Sequence, residues 1–267
     1  MTFIYDPMLG KLESCLRAVA SEFILPHPWG AERIKKADGS SLTEIDALVQ
    51  EALIQGLHAI IPAPVLGEEM PLDKQSGLLE AGEAGLWCVD PIDGTANFAN
   101  GLPYFAISAA FWQGGEPLLG AVLDPSRGEC FLAKRGEGAW MNGKSLPMRQ
   151  AARHRKGAVA VVDFHHLPRR IAIRLVEERP FAAIRVMGAS SLDWCYVAAG
   201  RFDAFVHGGH MFWDYAAGSL ILQEAGGAVF AIDGGSFWSQ DVFMRSAVAS
   251  LEACLAEEII DWMKEKD

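Results

Sequence analysis

The chain has few of the features that mark secreted, membrane-spanning or disulfide-rich proteins. Its five cysteines are scattered, odd in number and without a CxxC pair, a pattern typical of reduced thiols in a cytoplasmic protein. No run of about twenty apolar residues is present that could cross a bilayer. The first residues lack a basic segment followed by a long apolar one. We therefore expect a cytoplasmic protein with neither a membrane span nor a secretory signal.

Positive charge is also scarce. There are 23 Lys and Arg against 34 Asp and Glu, and the formal net charge is −11. Nonspecific nucleic-acid binding needs clustered Lys and Arg, so no nucleic-acid partner is expected. The one basic run, RQAARHRKG at 149–157, is short and isolated, which is typical of a solvated connector. The acidic excess instead favours binding of hard cations.

What the chain does have is ample apolar material, since 51% of its 267 residues are hydrophobic. This suits one large domain or two lobes that share a site. Hydrophobic periodicity predicts helices over 8–25 and 42–61, the second with Thr43 as its N-cap. Strands over 106–112 and 117–124, separated by Gly-Gly, predict a hairpin that continues as an antiparallel meander.

The second half of the chain alternates between strand and helix patterns. Its strands are expected at 157–164, 182–188, 201–208 and 227–233. Its helices are expected at 167–179, 190–200, 212–227 and 251–266. Such alternation is typical of an α/β lobe. We predict an N-terminal α+β lobe over 1–150 and a C-terminal α/β lobe over 151–267, which form one unit with the site between them.

The most informative stretch is WCVDPIDGTANF at 87–98. Asp90 and Asp93 follow an apolar strand, although carboxylates avoid apolar surroundings unless they are neutralised. The proline between them fixes φ, Gly94 permits a tight turn, and Thr95 opens a short helix. A helix N-terminus attracts phosphate, whereas paired carboxylates repel it. Both can lie at one site if cations are bound between the carboxylates and the phosphate. This stretch therefore predicts a Mg²⁺–phosphate site.

Further acidic residues stand at the ends of elements. Glu68 and Glu69 follow an apolar run, Asp214 begins a helix, and Asp46 lies in the first turn of another helix. Taken alone, Asp214 is typical of a helix cap and the Glu pair of solvated surface.

Three motifs in order identify a resemblance: GEE at 67–69, WCVDPIDGTANF at 87–98 and WDYAAGSLILQEAGG at 213–227. The chain resembles the inositol monophosphatase family, within the lithium-sensitive, Mg²⁺-dependent sugar-phosphatase superfamily. Supporting matches at 42–46, 120–146 and 185–205 extend the similarity over nearly the whole chain. The resemblance implies a layered α-β-α-β-α sandwich of the inositol monophosphatase and fructose-1,6-bisphosphatase type, of mixed α+β and α/β class, and a homodimer.

The resemblance also implies two or three Mg²⁺ ions. Glu68, Asp90 and the backbone carbonyl of Ile92 would hold the first ion. Asp90, Asp93 and Asp214 would hold the second, and a weaker third ion would lie near Glu68. Glu69 is expected to be a neighbour of the site or a surface residue.

The implied reaction is hydrolysis of a small phosphate monoester by a Mg²⁺-activated water, without a covalent intermediate. The chain would thus be a phosphoric monoester hydrolase of inositol 1-monophosphatase type. The implied catalytic residues are Thr95, Asp46 and Glu68. Asp46 would orient the Thr95 hydroxyl. The backbone N–H groups of Gly94 and Thr95 would bind phosphate.

The implied substrate contacts are Asp93, Ala189 and His207, and two of these depart from the family pattern. Inositol-specific members carry Glu at the position of His207 and Thr at the position of Ala189, so inositol 1-phosphate is in doubt as the main substrate. Histidinol phosphate and 3′-phosphoadenosine phosphate remain alternatives. His207 alternatively packs or is solvated, or forms an H-x-x-H metal pair with His210.

Two other classes of protein remain open. The haloacid-dehalogenase-like phosphatases share an Asp-Gly-Thr element, but their signature is Asp-x-Asp, whereas this chain has Asp-x-x-Asp from Asp90 to Asp93. A regulatory protein that keeps the fold without the activity is the second, since some relatives contact the transcription machinery. The complete set of expected ligands favours the enzyme.

Overall fold

The structure, a computed structural model, describes residues 6–27, 30–32, 34–35, 41–42, 44–81 and 84–265. The α-helices among them are α1 (Pro7–Val19), α2 (Glu44–His58), α3 (Leu72–Ala81), α4 (Thr95–Ala99), α5 (Arg169–Glu178), α6 (Ser190–Ala198), α7 (Phe212–Glu224) and α8 (Ala253–Lys264). Helix α1 continues as a π-helical turn over Ala20–Ile24. Thr43, the expected N-cap of α2, lies outside the described residues.

The strands form a short pair and two larger sheets. The pair is β1 (Ile34–Lys35) with β2 (Ser41–Leu42). The first sheet has seven strands in chain order: β3 (Val65–Gly67), β4 (Leu86–Asp93), β5 (Ala106–Gln113), β6 (Glu116–Asp124), β7 (Glu129–Lys134), β8 (Gly138–Met141) and β9 (Lys144–Ser145). The second has the order β11 (Ala183–Arg185), β10 (Val159–Asp163), β12 (Ala204–Met211), β14 (Met244–Ser250), β13 (Ala228–Phe230).

Alternation along the strands explains why each sheet is covered on both faces. In β5, Ile107 and Phe111 face a core shared with α1 and α2, whereas Ala110 and Trp112 face a core shared with α6 and α7. In the second sheet, Phe205 contributes to that same middle core. The opposite face of this sheet packs against α5 and α8. The layers therefore run helices, sheet, helices, sheet, helices. The predicted α-β-α-β-α fold is confirmed.

The middle helices have no polar face because they lie between two sheets. Residues Tyr215–Leu222 of α7 are buried throughout, and Gly218 lies so close to α6 that a Cβ there would meet the Trp194 Cβ at 2.5 Å. One hydrophobic core thus contains residues from both sheets. The division into lobes at residue 150 stays a prediction.

Five of these elements were not predicted: β1, β2, β3, α3 and β14. Leu42 of β2 was expected in the helix over 42–61. The first sheet is also not wholly antiparallel, since β3 pairs with β4 in parallel. In the part of the chain that the structure describes, no helix is both long and apolar enough to cross a membrane.

Candidate active site

A distortion at the end of β4 presents the paired carboxylates. Strand β4 pairs with β5 in antiparallel register, but the register shifts between Asp90, opposite Ser108, and Asp93, opposite Ala106. Pro91 lies inside this irregularity, where the absence of an N–H costs no ladder hydrogen bond. The Ile92 N–H instead donates to the Asp90 carboxylate at 3.0 Å. The bulge turns both Asp side chains towards the same side of the strand end.

Three acidic side chains meet there. One carboxylate oxygen from each of Asp90, Asp93 and Asp214 lies within 4.8 Å of the other two. Asp90 and Asp93 are buried, and Asp214 is half-buried in the first turn of α7. The Asp214 carboxylate also accepts from the Met211 N–H at 2.9 Å, so the helix cap and the cluster use the same residue.

These carboxylates raise one another's pKa. Burial raises the pKa of Asp90 well above its usual range, and the charges of Glu68 and Asp93 raise it further. Burial likewise raises the pKa of Asp214, with the charges of Asp93 and Glu68 adding to it. Three adjacent anions in a buried place are unfavourable unless a positive charge lies between them.

Asp93 is held by the second half of the chain. Burial raises its pKa to about 6, against hydrogen bonds from Ser191 and Ser190 that lower it. The Ser191 hydroxyl and N–H donate to one Asp93 oxygen at 2.5 Å and 2.6 Å, and the Ser190 N–H donates to the other at 3.2 Å. Neither serine was predicted as a site residue, because both contacts join residues almost a hundred positions apart.

Gly94 and Thr95 lie at the start of the short helix α4. Gly94 adopts a left-handed conformation with φ of +85°, and a Cβ there would lie 3.0 Å from the Ala189 Cβ, so only glycine fits without strain. The Thr95 hydroxyl is 3.2 Å from an Asp46 carboxylate oxygen and 2.9 Å from the Ile92 carbonyl oxygen. A hydroxyl has a single proton, so it donates to one of these at a time.

Glu68 lies next to the cluster, at the turn after β3. Its charge raises the pKa of both Asp90 and Asp214, and its backbone is held by the side-chain amide of Gln75. The Glu69 N–H donates to the Gln50 side chain at 3.2 Å. The expected residues Asp46, Glu68, Ile92 and Ala189 thus surround the same cluster, and their roles stay predictions.

His207 is buried, with its two ring nitrogens already engaged. Its Nε2 lies 3.1 Å from an Asp163 carboxylate oxygen, and its Nδ1 accepts the Gly209 N–H at 3.1 Å. His210 donates through Nδ1 to the Arg245 carbonyl, and its Nε2 accepts from the Trp194 indole at 3.1 Å. With their nitrogens used in this way, His207 and His210 do not form the H-x-x-H metal pair.

Asp163 and His166 are residues that the sequence reasoning missed. Asp163 lies opposite His207 where the parallel strands β10 and β12 pair. One donor atom from each of Asp163, His166 and His207 lies within 4.8 Å of the others. However, the Gly209 N–H places the His207 proton on Nε2, which removes the lone pair that a metal would need there. The polar DFHH run after a predicted strand was the available signal.

The Asp90–Asp93–Asp214 cluster fits Mg²⁺ chemically. All its donors are carboxylate oxygens, which hard cations prefer, and burial and mutual repulsion raise the pKa of Asp90 and Asp214. Other neighbouring acidic side chains, Glu68 and Asp46, act on Asp90 in the same direction. A divalent cation would reverse these shifts by favouring the ionised carboxylates.

Comparisons with known proteins agree with this geometry. The model of the inositol monophosphatase family matches residues 18–265. The chain is 34% identical over 237 residues to "Nus factor SuhB" of Pasteurella multocida, covering 84% of this chain and 86% of that one. It is 31% identical over 240 residues to "Fructose-1,6-bisphosphatase/inositol-1-monophosphatase" of Thermotoga maritima, covering 87% and 90%. A solved IMPase structure from Thermotoga maritima superimposes with a TM-score of 0.81 at 29% identity, over 96% of each chain.

Proposed function

The chain belongs to the inositol monophosphatase family, and on that premise we propose that it hydrolyses a small phosphate monoester with the help of Mg²⁺. The observation that carries the proposal is the convergence of Asp90, Asp93 and Asp214 beside the start of α4. We further propose the two-ion arrangement, with Glu68, Asp90 and the Ile92 carbonyl at one ion. When bound, Mg²⁺ supplies Lewis acidity and the positive charge that a phosphate ester requires.

The start of α4 binds the phosphate in this proposal. The Gly94 and Thr95 N–H groups stand at the helix N-terminus, where backbone donors and the helix dipole favour an anion. Since Gly94 has no side chain, the phosphate can approach the backbone closely. The neighbouring carboxylates would repel that phosphate, so binding of phosphate and cations is mutually dependent.

The Thr95 hydroxyl orients the attacking water. When it donates to Asp46, its lone pairs are available to accept a hydrogen bond from the water. The water oxygen forms a bond to phosphorus as the ester P–O bond breaks, and the proton that the water loses balances the one that the leaving alcohol takes up. Inorganic phosphate and an alcohol are the products, and no residue of the chain becomes phosphorylated.

A phosphate-release screen tests the proposal. It would use inositol 1-phosphate, histidinol phosphate, sugar phosphates and 3′-phosphoadenosine 5′-phosphate, with and without Mg²⁺ and Li⁺. We expect Mg²⁺-dependent release that millimolar Li⁺ inhibits. Asp90→Asn should abolish turnover in a folded protein, and the exposed Asp233→Asn should act as the matched control. Trapping of a phosphoenzyme on Asp90 would contradict the mechanism.

Some similar proteins are named Nus factors, which supports a second candidate function. A chain that released phosphate from none of these esters under any tested condition would be better described as a regulatory protein with this fold. The homodimeric state and the cytoplasmic location are also parts of the proposal. Sedimentation of the purified protein tests the first, cell fractionation tests the second, and the screen above decides whether inositol 1-phosphate is a substrate.

A further inference from the structure

Four aromatic rings follow one another from the middle core to the surface. The rings of Trp194 and His210 are stacked with centroids 5.6 Å apart and planes 19° apart. His210 and His207 follow at 4.7 Å with planes 36° apart, and His207 and His166 at 5.0 Å and 20°. We call this series the ring stack. Its first three members are buried, whereas the side chain of His166 is 56% exposed.

The outer ring is held in a defined orientation. His166 Nδ1 lies 3.2 Å from an Asp163 carboxylate oxygen, which His207 Nε2 also approaches at 3.1 Å. The other Asp163 oxygen accepts the backbone N–H groups of His165 and His166. Four donors therefore saturate Asp163, so this carboxylate orients the rings and has no acceptor site left for a substrate hydroxyl.

The ring stack reaches the surface beside the carboxylate cluster. Asp163 ends β10 opposite His207 of β12, and β12 runs on from His207 to Met211, after which α7 begins with Asp214 in its first turn. His207 covers one face of the His166 ring, so the exposed fraction belongs mainly to its opposite face and edge.

We propose that the outer face of His166 stacks on a planar aromatic ring in the alcohol part of the substrate. The inference rests on the proposed phosphatase function and specifies its substrate class: phosphate monoesters whose leaving alcohol carries an aromatic or heteroaromatic ring. Aromatic rings pair favourably in offset or stacked geometry. Because the rings of the stack are already aligned in the free protein, His166 loses little conformational entropy when a substrate ring binds. His207 takes part as a positioning residue, because it supports His166 and does not face solvent.

The test compares benzyl phosphate with cyclohexylmethyl phosphate. Both release a primary alcohol of similar size, but only the first carries a flat ring. For the native chain we expect a KM about 5- to 30-fold lower for benzyl phosphate, in the range that stacking on an aromatic side chain provides. His166→Ala should reduce the ratio of the two KM values to about one, His166→Phe should keep most of it, and the exposed neighbour variant His165→Ala should leave it unchanged.

The outcomes separate the two proposals. Glycerol 2-phosphate, which has no ring, reports the phosphatase function alone. Hydrolysis of it together with equal KM values for the two ring esters would overturn the stacking inference and leave the phosphatase proposal standing. Loss of the ratio in His166→Phe as complete as in His166→Ala would also overturn it, because a nitrogen contact or metal ligation would then explain the preference. Failure to hydrolyse any of the three esters would overturn both.

Discussion

Removal of the Ser191 hydroxyl in the second half of the chain should weaken Mg²⁺ binding at the proposed metal site in the first half. Ser191→Ala deletes one of the three donors to Asp93 that come from Ser190 and Ser191, the one at 2.5 Å. A hydrogen bond to a charged group contributes about 1.5–3 kcal/mol, which corresponds to roughly 10- to 150-fold in an equilibrium constant. Since two backbone N–H donors remain, we expect Mg²⁺ to bind about 10- to 30-fold more weakly.

Two measurements check this expectation. One is the Mg²⁺ dependence of phosphate release, and the other is calorimetric titration of Mg²⁺ into the metal-free protein, which needs no activity. The hydroxyl favours the ionised form of Asp93, so its loss should also raise the pKa of that carboxyl above about 6 and move the pH at which Mg²⁺ binds upwards.

The matched control is Ser219→Ala. Ser219 is equally buried, but its hydroxyl donates within α7, to the Ala216 carbonyl at 3.4 Å. Both variants lose a buried hydroxyl oxygen, but only Ser191→Ala removes a hydrogen bond to the carboxylate cluster. A Mg²⁺ affinity within about twofold of the native value in folded Ser191→Ala, against the tenfold or greater loss expected of a support to a metal ligand, would refute the reasoning.

Three further predictions concern the pH dependence of stability, the Thr95 hydroxyl of α4 and the two glycines of β12. In the metal-free protein the pKa of Asp93 is about 6 against an ordinary 3.8, so the folded chain holds more protons than the unfolded chain and stability falls as pH rises through that window. Calorimetry should therefore show a larger Tm increase on Mg²⁺ addition near neutral pH than near the lower end of that window, and an equal increase would contradict the assignment. Thr95→Ala should lower kcat about 10²- to 10⁴-fold while Thr95→Ser retains most of it; equal losses in steady-state assays would mean that the hydroxyl has no role. Gly208→Ala would place a Cβ 1.8 Å from the His166 carbonyl oxygen, whereas at Gly209 the nearest atom is the flexible Met244 sulfur at 3.4 Å, so denaturant unfolding should show a loss of about 1–3 kcal/mol or more for the first variant and little for the second.

Periodicity and turn residues predicted much of the fold. The hairpin of β5 and β6 was expected within one residue of its observed ends, because alternating apolar residues and the Gly114–Gly115 turn are local signals. Strand β14 was missed because its burial depends on β12 and β13, which are distant in the chain. Helix α3 was missed because its inward face is weakly apolar: Gln75 is buried there beside Leu78 and Leu79.

The candidate site divides in a similar way. Asp90, Asp93 and Gly94 belong to one motif, and the order of its residues was enough to predict a Mg²⁺–phosphate site. Asp163 and His166 lie near His207 only because β10 pairs with β12. This pairing places Asp163 opposite His207, which is 44 residues further along the chain. A pattern of residues along the chain does not contain that pairing, so these two residues could not be predicted as neighbours of His207 from the sequence.

The junction at Ala189 has a consequence for how this protein can change through evolution. Ala189 packs against Gly94, and the next two residues hold Asp93. Any mutation that reshapes this turn to admit a different alcohol should also displace Asp93, one of the proposed metal ligands. New substrate specificity should therefore arise more readily at exposed positions such as His166 than at the start of α6. A substitution at His166 would leave the proposed metal ligands in place.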